Sequence, residues 1–329
     1  MVKPEIARSG RRGKNALFQE VVEDWLTLVT PSISYTTLAE YRRSLNRYFL
    51  PTYGRTPIAK IGYEEFSLFV AQLPICTGKT FNNVMTPVRG VFGYAQRTGK
   101  TKYDITENIL WRKHQAPGPD PLERDEVILV LAHLNAAFHP VWHNYFEMAI
   151  FAGLRPSEQI ALRWSAVDTR REQIRIDAAR VRARDKGTKT NKIRYVDLQT
   201  PAIKALERQR TLTWSQNGFV FINPKTGKRF ADSSRPLEVW QKALRGVNIR
   251  ERGAKQTRHT YATLCLHAGM NPAYVSRQMG HANAKMFFEV YSRWIDGDAN
   301  TREKAKMDAY LEVNPFSTTN LQLLTTQVA

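Results

Sequence analysis

Cysteine is scarce in this sequence: Cys76 and Cys265 are the two thiols in 329 residues. Two thiols build neither a disulfide framework nor a four-thiolate metal site. Long apolar runs are missing as well. None approaches the roughly eighteen residues that a bilayer span needs, so no membrane partner is expected. The first eighteen residues, MVKPEIARSGRRGKNALF, are basic but carry no apolar core and no small-residue cleavage site. No secretory signal is expected there, and the cytoplasm is the expected compartment. There is no internal repeat and no low-complexity tract, which excludes solenoid and collagen-like architectures. Acidic residues are in deficit: 30 Asp and Glu stand against 49 Lys and Arg, a formal net charge of +19. Such a balance disfavours an enzyme of small metabolites. It favours a polyanionic partner, because each neutralised phosphate releases condensed counterions. A ribosomal or chromatin-like binder would share that charge, so charge alone does not give a reaction.

What is present points to two folded domains. The length suits two units of roughly 100–200 residues. A hydrophobic content of 42% with 11% aromatics is enough for packed cores. Residues 1–16 read as a flexible basic arm that tracks nucleic-acid backbone. From 17 to 113 the apolar spacing is helical throughout: Phe18, Val21, Val22, Trp25 and Leu28, then Leu38, Tyr41, Leu45, Tyr48 and Phe49. Arg42, Arg43 and Arg47 lie off the second of these stripes and are candidate DNA contacts. The stretch 114–121, HQAPGPDP, has three prolines and one glycine, cannot continue a helix, and reads as a linker.

Residues 122–311 mix helical periods with alternation in QIRIDAARVRA and KIRYVDL, which predicts a small antiparallel sheet. GFVFINPKTGKRF suggests a further hairpin-like element. Asn271-Pro272 reads as a helix start, and Gly153, Gly269 and Gly280 read as stops. Residues 312–329 form a tail whose LQLLTTQVA is more apolar than a free tail needs. His139, His143 and Glu147 recur every four residues, as metal ligands on one helix face do. Pro140 interrupts that pattern, and the surrounding Val141, Trp142 and Phe146 read as core, so no metal and no cofactor is expected.

Four segments carry the candidate chemistry. AGLRPSEQIALRW (152–164) places Arg155 just before a proline at the first helical turn, where exposed backbone N–H groups already favour an anion. Glu158, one turn on, is placed to orient an arginine. RVRARDKGTKTNKIRYVDL (180–198) reads as two strands joined by a basic turn, able to enter a groove. Its Lys186, Lys192 and Arg194 are candidate DNA contacts. KQTRHTYATLCLHAG (255–269) sets Lys255 and Arg258 on one helix face, and His259 reads as a packing residue. MGHANAKMFFEVYSRWI (279–295) contains His281 and, ten residues later, Tyr291. A phosphodiester under attack gathers negative charge on its non-bridging oxygens, and fixed cations and donors stabilise it. A tyrosine hydroxyl can be the nucleophile if neighbours take its proton, because its ordinary pKa is ~10.

This ordered set of two arginines, a lysine, a histidine and a tyrosine resembles the catalytic boxes of the tyrosine recombinases of the phage-integrase family, from about Phe18 to Tyr310. The resemblance implies a mainly α fold with a small antiparallel sheet. An all-helical, SAM-like core-binding domain would precede an α+β catalytic domain, the two clamping a DNA duplex. It implies Arg155 and Arg258 as phosphate clamps and Lys189 as donor to the departing 5′ oxygen. His281 would be a donor to a non-bridging oxygen and Tyr291 the nucleophile forming a 3′-phosphotyrosyl bond. Lys255 stands where the family usually has a histidine and is expected among the catalytic residues, as the base that takes the Tyr291 proton or as a charge that stabilises the phosphate, structural filling being the alternative. Expected partners are double-stranded DNA, a homo-tetramer on paired sites and accessory DNA-bending proteins. Two other readings share most of these features: relaxation of supercoils in the manner of a type IB topoisomerase, and a catalytically silent DNA-binding regulator.

Overall fold

A computed structural model of the chain describes residues 13, 15–115, 117–187, 193–215, 218–281, 284–294 and 298–313. The chain divides into two compact units, Met1–Pro117 and Gly118–Ala329. The first is helical: α1 (Phe18–Val29), α2 (Tyr35–Ser44), α3 (Leu50–Tyr53), α4 (Tyr63–Ala71) and α5 (Gly78–Arg97). Phe18, Val21, Val22 and Trp25 are buried as their spacing predicts. Leu28 faces solvent, and Leu26 closes the apolar stripe in its place. The Ser34 hydroxyl accepts from the Thr37 N–H at 3.2 Å and starts α2. A π-helical turn, Leu45–Phe49, leads from α2 into α3. Phe49, Tyr53, Phe66 and Phe92 interlock at the centre of this unit, with ring centroids 5.3–6.0 Å apart along the chain of contacts. Each fully buried aromatic contributes about 1.5–3 kcal/mol of transfer free energy.

The second unit opens with α6 (Arg124–Ala137), α7 (Pro140–Ala152) and the single turn α8 (Pro156–Gln159). Five strands follow: β1 (Val167–Asp168), β2 (Gln173–Ile176), β3 (Ala178–Val181), β4 (Arg184–Gly187) and β5 (Arg194–Asp197). The sheet order is β1-β2-β5, antiparallel, with Gln173 opposite Asp197 and Ile176 opposite Arg194. Strands β3 and β4 form a separate two-stranded ribbon between β2 and β5 in sequence. The turn of that ribbon is Arg182-Ala183, both with positive φ; residues 188–192 of the expected basic turn lie outside the described residues. Two left-handed residues match the twist of flanking strands, and here neither is glycine or asparagine. GFVFINPKTGKRF also departs from expectation. Among its described residues it forms no strand; Val220 and Phe221 enter the core and a turn closes through Asn223 N–H to the Lys228 carbonyl at 2.9 Å.

Helices α9 (Thr200–Thr213), α10 (Ser234–Gly246), α11 (Gln256–His267), α12 (Pro272–Met279), α13 (Ala284–Tyr291) and α14 (Asp298–Val313) complete the unit. A large core joins Tyr145, Phe146, Ile174, Val196, Phe221 and Trp240. A smaller one joins Tyr261, Val275, Met279, Phe287 and Tyr291. His139 lies before α7 and caps it, its Nδ1 accepting from the Val141 N–H at 3.3 Å. Glu147 pairs with Arg208. His139 and Glu147 of the spacing pattern thus have separate engagements, one as a cap and one in an ion pair. No helix among the described residues is long and apolar enough to cross a membrane.

Candidate active site

The end of α12 organises the site. Asn271 Oδ1 accepts from the Ala273 and Tyr274 N–H groups, and Pro272 occupies the first helical position, so the helix starts sharply. It stops at Gly280, whose φ of 66° is left-handed. The last carbonyls of a helix lack intrahelical partners and carry the negative end of its dipole, so cations gather there. Three guanidiniums do so. Arg194 Nε donates to the Gln278 carbonyl at 3.0 Å, Arg258 Nη2 to Met279 at 2.5 Å and Arg155 Nη2 to Gly280 at 3.2 Å.

One carboxylate serves two of these arginines. Glu158 is 2% exposed; it accepts from Arg155 Nη1 at 2.8 Å and from both Arg194 Nη atoms at 3.1 and 2.7 Å. It also accepts from the Arg155 backbone N–H at 3.0 Å. Burial alone would raise its pKa. The bonds and charges of Arg194 and Arg155 outweigh burial and hold the carboxyl at about 2. Arg258 has no such carboxylate partner. It donates to the carbonyls of Gly153 and Met279, and burial followed by repulsion from Arg155 pushes it down to about 9. It therefore remains charged at neutral pH. The two bonds named for each of Arg155 and Arg258 leave further N–H donors of the five on a guanidinium for an anion.

His281 follows Gly280, and its Nδ1 is buried without a hydrogen-bond partner among the described residues. Burial, then Arg258 and Arg155, lower its pKa to about 4, so it is neutral at pH 7. Tyr291, on α13, is 1% exposed and packs against Phe287 and Trp294. Its hydroxyl lies 2.5 Å from Nδ1 of His259. Burial raises the phenol to about 12, against a lowering contribution from Arg258. His259 is lowered to about 4 by burial and then by the charges of Lys255 and Arg258. Lys255 itself is exposed at the start of α11.

The chain therefore brings Arg155, Glu158, Arg258 and His281 together around the end of α12, with Tyr291 against α11. Arg194 departs from its expected groove-facing place, since buried Glu158 and the Gln278 carbonyl engage its guanidinium. His259 departs too, because it touches the tyrosine hydroxyl rather than merely filling a helix. Helical spacing held that signal: Lys255, Arg258 and His259 fall at i, i+3 and i+4. Lys189 and Lys192 lie outside the described residues, as does the side chain of Lys186. Arg42, Arg43 and Arg47 are exposed on the first unit, paired with Glu23, paired with Glu40 and lying against the Tyr48 ring, respectively.

Gly280 permits a direct test of this arrangement. A Cβ there would lie 2.9 Å from Cδ and Nε of Arg194, on a backbone that L side chains avoid. Gly99 has a similar φ of 70° with nothing within 4 Å of an added Cβ. Gly99→Ala should lose about 1 kcal/mol of stability from strain alone, and Gly280→Ala about 2–4 kcal/mol. Denaturant titration of both variants reads the difference. Equal losses would mean that Arg194 yields without consequence.

Residues 121–296, more than half of the chain, match the phage integrase family. Prophage integrase IntR of Escherichia coli (strain K12) is 26% identical over 334 residues, covering 89% of this chain and 80% of that protein. Tyrosine recombinase XerD of Mycobacterium leprae (strain TN) is 25% identical, covering 78% of this chain and 86% of that protein. The fold matches a lambda integrase tetramer bound to a Holliday junction with a TM-score of 0.67 at 13% identity, over 86% of this chain and 82% of that one. The chain belongs to the phage integrase family and is a tyrosine-type site-specific recombinase.

Proposed function

We propose that the chain cuts and rejoins double-stranded DNA through a 3′-phosphotyrosyl bond at Tyr291, as a homo-tetramer on two paired sites. The observation that carries this reading is the set of charged and donor groups around the end of α12, together with the Tyr291 hydroxyl against His259. Arg155 and Arg258 hold the non-bridging oxygens of the scissile phosphate through paired N–H donors, a task lysine performs poorly. His281 offers its unpartnered ring edge to the same phosphate, and the incoming negative charge offsets the repulsion that keeps it neutral. Lys189, on the resemblance, gives a proton to the departing 5′ oxygen, a poor leaving group without one. Lys255 adds positive charge at the start of α11.

The covalent intermediate conserves the phosphodiester free energy, so rejoining draws on no nucleotide. The 5′ hydroxyl of the second duplex attacks the phosphotyrosine, which requires two duplexes in one assembly. The solved lambda integrase tetramer on a Holliday junction supports such an assembly. The exposed Arg42, Arg43 and Arg47 contact backbone phosphates from the first unit. Their surface pairs are worth only about 0–1 kcal/mol and yield to DNA.

Two duplexes carrying the short direct repeats found in the DNA that flanks the gene, as expected for a phage or mobile-element integrase, should be converted to joined products of exchanged sequence. Supercoil relaxation without exchange would instead indicate a topoisomerase, and binding without any adduct a regulator. Fixed guanidiniums supply the charge that a divalent ion would otherwise provide, so cleavage should persist in excess EDTA. Loss of cleavage that magnesium or zinc restores would refute that expectation.

A further inference from the structure

Lys255 occupies the position where the family usually has a histidine, yet the side chain that meets the Tyr291 hydroxyl is that of His259. We infer that His259 takes the proton of Tyr291 during cleavage and returns it during rejoining. The contact is direct: Nδ1 of His259 lies 2.5 Å from the phenol oxygen, across α11 and α13. The two rings are tilted at 45° with centroids 5.7 Å apart, which directs a ring edge rather than a ring face at the hydroxyl. His259 is half-buried, and its neighbours are fixed by the packed core that includes Tyr261, Phe287 and Tyr291.

Charged and titratable groups face this ring from every element packed against it. Lys255 and Arg258 act from α11, His281 from the residue after α12, and Tyr291 from α13. Positive neighbours and burial keep the imidazole neutral, and a neutral ring with its hydrogen on Nε2 accepts from the phenol. In the free protein it is a weak base facing a weak acid, which keeps the tyrosine unreactive. A scissile phosphate between Arg155 and Arg258 adds negative charge near both groups. It offsets the repulsion from Lys255 and Arg258 and makes the imidazole more basic when the substrate is in place.

The step balances. The Tyr291 oxygen forms a bond to phosphorus, its proton passes to Nδ1 of His259, and the bond from phosphorus to the 5′ oxygen breaks. That oxygen is protonated by a separate donor, Lys189 in the reading above. Rejoining reverses each transfer, and the phenolate leaves as His259 returns the proton. The charge of Lys255 acts on His259 and tunes it.

The inference rests on Tyr291 being the nucleophile, and the test separates the two claims. His259→Gln retains an oxygen that can accept from the phenol but cannot carry its proton away; His259→Ala retains neither. Both should slow adduct formation on nicked DNA by ~10²–10⁴-fold, the range for losing a general base. DNA affinity and thermal unfolding should stay close to those of the parent chain. In both variants the rate should climb with pH toward the tyrosine range. A 5′-bridging sulfur, which leaves without a proton, should not rescue them, because the missing transfer is on the nucleophile side. A His259→Gln rate within a few-fold of the parent would reduce His259 to a positioning contact. Faster cleavage by His259→Ala would make the contact a restraint on Tyr291. Either result overturns the inference. An adduct in Tyr291→Phe would overturn the underlying reading instead.

Discussion

Tyr291→Phe should bind DNA as the parent chain does and form no denaturation-resistant adduct. The substitution removes one oxygen from a side chain that is 1% exposed and leaves its ring against Phe287 and Trp294. Volume is conserved, so the smaller core of the second unit keeps its packing. The loss is confined to the hydrogen bond with His259, whose Nδ1 is left unpaired at a cost of about 1–2 kcal/mol. Without the oxygen no bond to phosphorus can form, so the expected effect on cleavage is complete. The guanidiniums proposed to hold the phosphate lie on other elements, so affinity should change by less than a few-fold. Nicked DNA that traps the intermediate, run under denaturing conditions beside a binding titration, reads both quantities. An adduct that persists would move the nucleophile to another residue.

Glu158→Ala should unfold at a far lower denaturant concentration than the parent, with a loss of about 3–5 kcal/mol. Removing one partner of a buried ion pair leaves the other uncompensated, and here two arginines lose their shared carboxylate. Glu238→Ala, which breaks only the exposed pair with Arg235, is the control and should lose less than about 1 kcal/mol. The pH dependence follows from the same carboxyl. Its folded value of about 2 lies below the unfolded value of about 4.3, so its contribution is present above the unfolded value. That contribution fades as pH falls from ~5 to ~2, and Glu158→Ala should lack this limb of the acid-stability curve. Equal losses in the two variants would mean that Arg155 and Arg194 hold their places without the carboxylate.

Much of this architecture was legible because local chemistry announces it. Ser34, Asn271-Pro272, Gly153 and Gly280 mark helix ends through caps and left-handed stops, and the structure places helix termini at each. The sheet was harder. QIRIDAARVRA reads as one strand, yet β2 and β3 belong to different sheets, a division set by which partner each meets rather than by its own alternation. The ribbon turn at Arg182-Ala183 carries none of the residues that favour positive φ, so nothing in the sequence signals it. In the site, the motif spacing gave the residue types, while partner choice depended on contacts 21 to 125 residues apart in the chain. Arg194 looked like one more cation of a basic segment until Glu158 was seen opposite it. His259 looked like packing because the tyrosine it touches lies 32 residues away.

Three guanidiniums meet the end of α12, while the buried carboxylate there, Glu158, pairs with two of them, and that imbalance has a thermodynamic consequence. With Arg155, Arg194 and Arg258 charged and Glu158 ionised, the empty site carries an excess of two positive charges held by backbone dipoles. The self-repulsion of the unoccupied state is work already done by folding, and a bound phosphate releases it. On the function proposed above, the same term that lowers the stability of the free protein would tighten its hold on the scissile phosphate. Folding stability and grip on DNA are thus opposed in this site. On that same function, exchanging Arg258, which has no carboxylate partner, for a neutral side chain would relieve the repulsion on Arg155 and weaken the grip on phosphate.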